Sequence, residues 1–196
     1  MPGSRAPTSP RSVAGIGSSN SGKLPASRRP NRARATLAHY LDLLAGVGMI
    51  CGLQKHAGEA VRQRGSSPKL QVFNTALMTA QSSYGLKDAK ADREYWGHLV
   101  ESAVGAHLVN SAAMGECEVF YWRERNVEVD FVTRHGHALT ALEVKSGRAS
   151  AARSGLQVFS DLFKPQRKLL VGADGIALES FLSRPAEFWT KRGGST

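Results

Sequence analysis

Hydrophobic and polar residues alternate in two nearby stretches of the chain, and this alternation predicts two neighbouring β-strands. Residues 127–132 read Val-Glu-Val-Asp-Phe-Val, which places Asp130 opposite the valine before it and the phenylalanine after it. Residues 142–145 read Leu-Glu-Val-Lys, which places Glu143 and Lys145 together on one face. Two carboxylates and an ammonium are therefore expected to converge on adjacent strands.

The segment between these strands, residues 134–137, suits a hairpin turn. The converging carboxylates can hold a hard divalent cation, and the lysine can lie near an attacking water. The same alternation also describes the solvated face of an ordinary hairpin. In that interpretation the carboxylates pair with Lys145, or with Arg123 and Arg125. Both interpretations remain open on the pattern alone.

A helix is expected from Thr36, which can cap its start, to Gly46 and Gly48, which can end it. Its apolar positions at helical spacing are Leu37, Tyr40, Leu41 and Leu44. Short strands at 49–53 and 70–73, joined by a basic stretch, complete the latter half of a winged-helix module. Such modules bind DNA or serve as packing modules beside other domains.

A longer helix is predicted over about 92–112, with Glu101 at the edge of its apolar stripe. The stripe consists of Trp96, Leu99, Val100, Ala103, Val104 and Leu108. A strand at 118–122 precedes the two alternating strands. A helix near 151–163 and a strand at 168–171 follow them. The predicted order is α-β-β-β-α-β.

Composition separates a basic tail from the rest of the chain. The 196 residues suffice for one ordinary domain or two small ones, and Lys and Arg exceed Asp and Glu by 26 to 16. Seven basic residues and no acidic ones precede Ala35, which leaves 19 against 16 in the remainder. The Ser-, Pro- and Gly-rich tail is expected to be disordered and to bind polyanions non-specifically.

The tail contains Gly17–Lys23, which matches most of a phosphate-binding P-loop. Leu24 stands where a magnesium-binding Ser or Thr is needed, and Pro25 disfavours the helix that must follow. No ATP site is therefore expected in this chain.

Two cysteines, Cys51 and Cys117, lie in apolar surroundings without metal-ligand spacing. They indicate small core residues in a reduced, cytoplasmic protein. No apolar run is long enough to predict a membrane span, and the start of the chain lacks the apolar core of a signal peptide.

The order of elements, with a glutamate on the long helix, an aspartate on the second strand and Glu-x-Lys on the third, resembles the restriction-endonuclease-like PD-(D/E)XK fold. The amino-acid sequence of several segments resembles that of the uncharacterised C-terminal domain of bacterial AAA-type ATPases, over roughly residues 35–188. These segments are Thr36–Leu44, Ser67–Leu70, Tyr121–Arg123, Glu128–Phe131 and Leu142–Gly147.

The resemblance implies an α/β fold with an αβββαβ core, a mixed sheet flanked by helices, preceded by a partial winged-helix module. The implied organisation is a tail at 1–34, the winged-helix part at 35–82, the nuclease-like domain at 83–188 and a flexible end at 189–196.

The resemblance also implies a Mg²⁺ site. Asp130 and Glu143 would ligate the ion, helped by the main-chain carbonyl that follows Glu143, and Glu101 would hold a second metal or a water on the metal. Lys145 would orient or deprotonate the attacking water. Gln157 would be a peripheral polar contact.

The function expected on these grounds is that of a DNA-associated module with Mg²⁺-dependent phosphodiester hydrolysis. The alternative is a catalytically silent regulatory or protein-interaction domain that is normally coupled to an ATPase. The chain before Ala35 lacks the length and the motifs of an ATPase domain. A truncated gene product, a fragment with an unrelated start and a stand-alone module all remain open, and an ATPase domain supplied in trans is one expected partner.

Overall fold

The fold is built on a six-stranded mixed β-sheet flanked by helices. The computed structural model describes residues 32–57, 67–147, 155–172 and 174–191. The predicted P-loop-like segment and nearly all of the predicted basic tail lie outside these residues. The strands run in the order β2-β1-β3-β4-β5-β6 across the sheet.

The strands are β1 (Ile50–Lys55), β2 (Lys69–Val72), β3 (Glu118–Glu124), β4 (Val127–His135), β5 (Ala138–Val144) and β6 (Arg167–Val171). The helices are α1 (Arg32–Gly46), α2 (Ala76–Gln81), α3 (Leu86–Ala91), α4 (Arg93–Ala113), α5 (Gly155–Phe163), α6 (Leu178–Leu182) and α7 (Ala186–Thr190). Antiparallel pairs join β1 to β2, β3 to β4 and β4 to β5, whereas β1–β3 and β5–β6 are parallel.

The order α4-β3-β4-β5-α5-β6 contains the predicted α-β-β-β-α-β succession. The strands of the predicted winged-helix part join the same sheet, because β1 pairs with β3 through Gln54 and Phe120. The sheet therefore extends across the predicted boundary at residue 82.

The sheet carries a hydrophobic core on each face. Val104, Leu108 and Phe181 are fully buried on the face covered by α4 and α6. Phe159 of α5 covers the opposite face, where it meets the ring of Trp122 at a centroid distance of 5.4 Å. Burial of these large side chains stabilises the sheet between two layers of helices.

A β-bulge interrupts β4 at the position of Asp130. Trp122 pairs with Val129 and Phe120 with Val132, so one residue of β3 opposes two residues of β4. Phe131 consequently packs in the core on the α4 side, whereas Val129 and Val132 pack on the α5 side. The prediction that the apolar residues on both sides of Asp130 share one face was therefore wrong, because the bulge breaks the alternation.

The ends of α1 differ from the prediction in one respect. The helix begins at Arg32, so Thr36 lies inside it and does not cap it. It ends as predicted: Gly46 is its last residue, and Gly48 has a φ of +70°, a conformation that glycine adopts without strain. The apolar side chains of this helix remain on the surface, with Leu37 and Tyr40 each 59% exposed.

The last described helix, α7, extends the packed part of the chain. Trp189 and Thr190 are buried, although the sequence places them in the flexible end that was predicted from residue 189. Across the described residues, no helix combines the length and apolar character needed to cross a bilayer.

Candidate functional site

Strands β4 and β5 separate at Asp130, and the carboxylate of Asp130 lies in the gap. The last paired residues are Phe131 and Leu142. Beyond them, the Val144 N–H donates to Oδ2 of Asp130 at 2.8 Å instead of to a carbonyl of β4. The bulge thus lets a side chain satisfy a backbone donor that the ladder leaves unpaired.

Three carboxylates surround the ammonium of Lys69. Its Nζ lies 2.7 Å from Oε1 of Glu101, 3.1 Å from Oε1 of Glu128 and 3.9 Å from Oδ1 of Asp130. The Lys69 side chain is 22% exposed and that of Asp130 is 17% exposed. Neither Lys69 nor Glu128 was among the predicted site residues. We use the name acidic cluster for Lys69, its three carboxylate neighbours Glu101, Glu128 and Asp130, and the pair of Glu143 and Lys145.

Burial controls the protonation of Asp130. Burial, followed by the nearby Glu101 carboxylate, raises the pKa of Asp130 from 3.8 to about 6, against the opposing effects of the Val144 N–H and the ammoniums of Lys69 and Lys145. Burial acts in the opposite direction on Lys69, but the attraction of Glu101, Asp130 and Glu128 is larger and raises its pKa. Asp130 is therefore costly to keep ionised.

Glu143 and Lys145 form the second half of the cluster. Nζ of Lys145 lies 2.8 Å from Oε1 of Glu143, whose side chain is 11% exposed. Burial opposes the charge of Lys145, yet Glu143 and, to a smaller extent, Asp130 and Glu101 raise its pKa. Lys145 therefore interacts electrostatically with all three predicted carboxylates, and its strongest contact is with Glu143.

Close packing of two elements positions the acidic cluster. Alternate residues of β2 face α4, so Lys69 reaches Glu101 and the amide of Gln71 donates to the carbonyl of Ser102 at 3.0 Å. Gly105 makes this approach possible, because a Cβ there would lie 2.1 Å from Oε1 of Gln71. A small residue on α4 thus brings the lysine of a distant strand to the cluster.

Gln157 does not join the described contacts of the cluster. Its amide donates to Oδ1 of Asp161, one turn along α5, at 2.9 Å on the exposed surface of that helix. In the part of the chain that the structure describes, no hydrogen bond connects Gln157 to Asp130, Glu143 or Lys145.

The donor set of the acidic cluster suits a hard cation, but an ammonium already lies among the donors. Carboxylate and carbonyl oxygens are the ligands that Mg²⁺ binds. Among the described residues, no group of three or more His, Cys, Asp or Glu side chains has the geometry to hold a metal ion. The carboxylates of Glu101, Glu128 and Asp130 are instead spaced around Lys69.

Two open cavities adjoin the acidic cluster, and basic side chains line both. One, of about 520 Å³, includes Lys69 and Glu128 together with Lys55 and Arg123. The other, of about 750 Å³, includes Ser146, the residue after Lys145. The cluster therefore borders surfaces that can accept negatively charged groups.

Lys69 and Glu128 could not be found from local pattern, since 59 residues separate them. The available signal was the Ser67-Pro68-Lys69 segment, one of the segments that carry the family resemblance. Glu128 precedes Asp130 by two residues on the strand, but strict alternation alone does not show which of the two reaches the lysine.

Comparison with known proteins gives one result. Residues 96–179 match a protein family described as a domain of unknown function, DUF4143. This match begins within α4 and ends within α6, so it covers every predicted site residue but not Lys69. No curated protein and no solved structure matches the chain. Residues 96–179 thus resemble an uncharacterised domain family whose description specifies no activity.

Proposed function

We propose that this chain is a nucleic-acid-associated module with a restriction-endonuclease-like core that hydrolyses phosphodiester bonds with the help of Mg²⁺. The observation that carries the proposal is the group of three half-buried carboxylates around Lys69. Glu101, Glu128 and Asp130 share that ammonium, and Arg123 approaches Glu128 at 3.8 Å. Burial and the Glu101 carboxylate raise the pKa of Asp130 to about 6, and a bound cation would relieve this cost of ionisation.

The roles of the residues follow from their positions. Asp130 and Glu143, with the carbonyl oxygen of Val144, would hold the ion, and Glu101 would hold a second one. Bound Mg²⁺ would polarise the phosphate and lower the pKa of the attacking water. Lys145 would orient that water and stabilise the negative charge that develops on the phosphate.

Lys69 would change its partner when a cation and a substrate bind. In the metal-free protein its ammonium is shared by Glu101, Asp130 and Glu128. The same ammonium lines the cavity that contains Lys55 and Arg123. Once a divalent ion neutralises the carboxylates, Lys69 would be available to bind a phosphate of the substrate in that cavity.

A second candidate function is that of a catalytically silent regulatory or interaction domain, coupled to an ATPase supplied in trans. Two observations favour it. Lys69, Lys145 and Arg123 already pair with carboxylates of the acidic cluster. The outer face of α1 also exposes large apolar side chains such as Tyr40 and Leu43, which is typical of a surface that binds another protein.

Calorimetric titration with Mg²⁺ or Mn²⁺ separates the two functions. We expect the wild type to bind the ion and the Asp130→Ala/Glu143→Ala double variant not to bind it. Glu118→Gln is the matched control, because Glu118 lies on the neighbouring strand and pairs only with Arg134 among the described ion pairs. Absence of binding, together with absence of cleavage of single-stranded and duplex DNA, would favour the silent domain.

A further inference from the structure

The larger cavity beside the acidic cluster has the composition of a nucleotide-binding pocket. Its described lining consists of Lys90, Arg93, Trp96, Ser146 and Gly147, and its volume is about 750 Å³. We call it the Trp96 pocket. This volume lies within the range of pockets that hold small ligands, roughly 300–1,000 Å³.

The charges of the Trp96 pocket favour an anionic ligand. Lys90 and Arg93 are exposed, and neither has an ion-pair partner among the residues that the structure describes. No carboxylate belongs to the described lining. Two unpaired cations at one cavity, with the hydroxyl of Ser146 beside them, are suited to hold a phosphate group.

The Trp96 ring supplies a flat aromatic surface at the same place. It packs against the core on the α4 side, which fixes its position, and it remains partly exposed. Nζ of Lys90 lies over this ring, 5.6 Å from its centroid. A nucleobase that stacks on the ring would displace the ammonium of Lys90, which could then pair with the phosphate of the same nucleotide.

The location of the pocket relates it to the proposed reaction. Ser146 directly follows Lys145, and Trp96 precedes Glu101 by five residues of α4, roughly 7.5 Å along the helix axis. Gly97 lets α4 approach Ser146, just beyond the end of β5, because a Cβ at Gly97 would lie only 3.2 Å from Oγ of Ser146. A nucleotide in the pocket would therefore lie beside the residue that follows Lys145.

From these observations we infer that the Trp96 pocket binds one unstacked nucleotide of a single strand, with the base on Trp96 and the phosphate on Lys90 and Arg93. This inference rests on the proposed function and specifies its substrate class. A base inside a duplex is covered by its neighbours, so only a single strand or an unpaired nucleotide can present its face to the ring.

The test is fluorescence anisotropy with a fluorescein-labelled oligothymidylate, an abasic oligomer of equal length and a duplex, all in EDTA so that no hydrolysis occurs. We expect the wild type to prefer the oligothymidylate. Trp96→Leu should weaken that binding roughly tenfold or more, whereas binding of the abasic oligomer should change little. Trp96→Phe, which keeps an aromatic face, should retain most of the affinity.

The charged residues are tested separately. The Lys90→Gln/Arg93→Gln double variant should weaken binding of both oligomers equally and reduce the slope of log affinity against log salt by roughly 1.4. Lys87→Gln is the matched control, because Lys87 is an exposed lysine of α3 outside the described pocket lining. Thermal melting of each variant shows whether it is folded. If Trp96→Leu fails to fold, the contrast between the two oligomers in the wild type and in Trp96→Phe decides the question.

Three outcomes would overturn the inference: equal affinity of the wild type for the base-bearing and abasic oligomers, unchanged affinity in the folded Trp96→Leu variant, or tighter binding of the duplex. Failure of the inference is distinguishable from failure of the proposed function. Binding that depends on Trp96 without cleavage in Mg²⁺ supports the pocket and contradicts the hydrolase. Cleavage with binding that does not depend on Trp96 supports the hydrolase and contradicts the pocket.

Discussion

Two groups of charged residues, one across β3 and β4 and the other where β4 meets β2 and α4, differ in exposure and in charge balance. Arg134 binds both carboxylate oxygens of Glu118, at 2.6 and 2.7 Å, on the exposed surface. Asp130 is half-buried near Glu101 and shares the more distant ammonium of Lys69 with two other carboxylates. The first group is balanced and exposed, whereas the second is half-buried and places three carboxylates around one ammonium.

The protonation of the two carboxylates shows the consequence. The hydrogen bonds from Arg134 lower the pKa of Glu118, whereas burial and the Glu101 carboxylate raise the pKa of Asp130 to about 6. An ion pair that only stabilises a hairpin lowers the pKa of its acid. A buried carboxylate with a raised pKa gains free energy when a cation binds, and this is the property expected of a metal ligand.

The largest expected difference between the two groups is in activity. Asp130→Asn should lower the rate of Mg²⁺-dependent phosphodiester cleavage roughly a hundredfold or more, because it removes a ligand charge that the reaction requires. Glu118→Gln should leave the rate within about twofold, since Glu118 belongs to the exposed pair. Equal rates for wild type and Asp130→Asn, measured on the same nucleic acid, would contradict the assignment of Asp130.

The next effect concerns Lys69. Lys69→Met keeps the length of the side chain but leaves three carboxylates without their counter-ion, so we expect the free energy of unfolding to fall by about 2 kcal/mol. Saturating Mg²⁺ should restore much of this loss, because a bound cation replaces the ammonium. Chemical denaturation with and without the ion measures both quantities, with Lys87→Met as the exposed control. A loss that Mg²⁺ does not reduce would indicate a purely structural role for the cluster.

The raised pKa of Asp130 should also make the free energy of unfolding depend on pH. The folded protein binds this proton more tightly than the unfolded chain, so the cost of the charged carboxylate is complete above about pH 6 and is relieved as the pH falls from 6 towards 3.8. Asp130→Asn should therefore stabilise the metal-free protein by about 1–2 kcal/mol near pH 7, and by progressively less towards pH 4.

Urea denaturation of Asp130→Asn and wild type across this pH range provides the measurement. The groups that face Asp130 and affect the result are Glu101, Lys69, Lys145 and the Val144 N–H. If the difference in unfolding free energy between the two proteins is independent of pH, Asp130 is not the carboxylate that carries the raised pKa.

The smallest effect is expected at the exposed pair. Glu118→Gln should destabilise the fold by less than about 1 kcal/mol at low salt, and added salt should reduce the difference, because both side chains are accessible to solvent. Thermal melts at two ionic strengths measure this dependence. A loss as large as that of Lys69→Met would mean that the two groups of charges do not differ as proposed.

The six strands and the three longer helices were predicted because their apolar positions repeat with the period of each element. The four described helices of five or six residues, α2, α3, α6 and α7, were not predicted, because such short segments show no clear period. The long helix, expected over about 92–112, is observed at Arg93–Ala113. The final strand, expected at 168–171, is observed at Arg167–Val171. The start of α1 was missed, because helix-forming residues before Thr36 extend the helix towards Arg32.

The candidate site was only partly predictable. Alternation correctly separated Glu143 from Val144, which packs in the core on the α4 side. Alternation failed at Phe131. Two consecutive apolar residues, Phe131 and Val132, break the alternating pattern in the sequence, and both are fully buried in the structure. Lys69 lies far away in the chain and reaches the cluster only because β2 docks on α4 at Gly105. This docking is a tertiary contact that no local pattern encodes.

The bulge in β4 makes the candidate site depend on the number of residues as well as on their identity. Deleting one residue between Val129 and Val132 would let β4 and β5 continue as an unbroken ladder, and the Val144 N–H would then meet a main-chain carbonyl. An aspartate could still be present in such a sequence, but it would have lost its position in the gap. In a comparison of related sequences, the length of this strand is therefore as informative about the site as the presence of the acid.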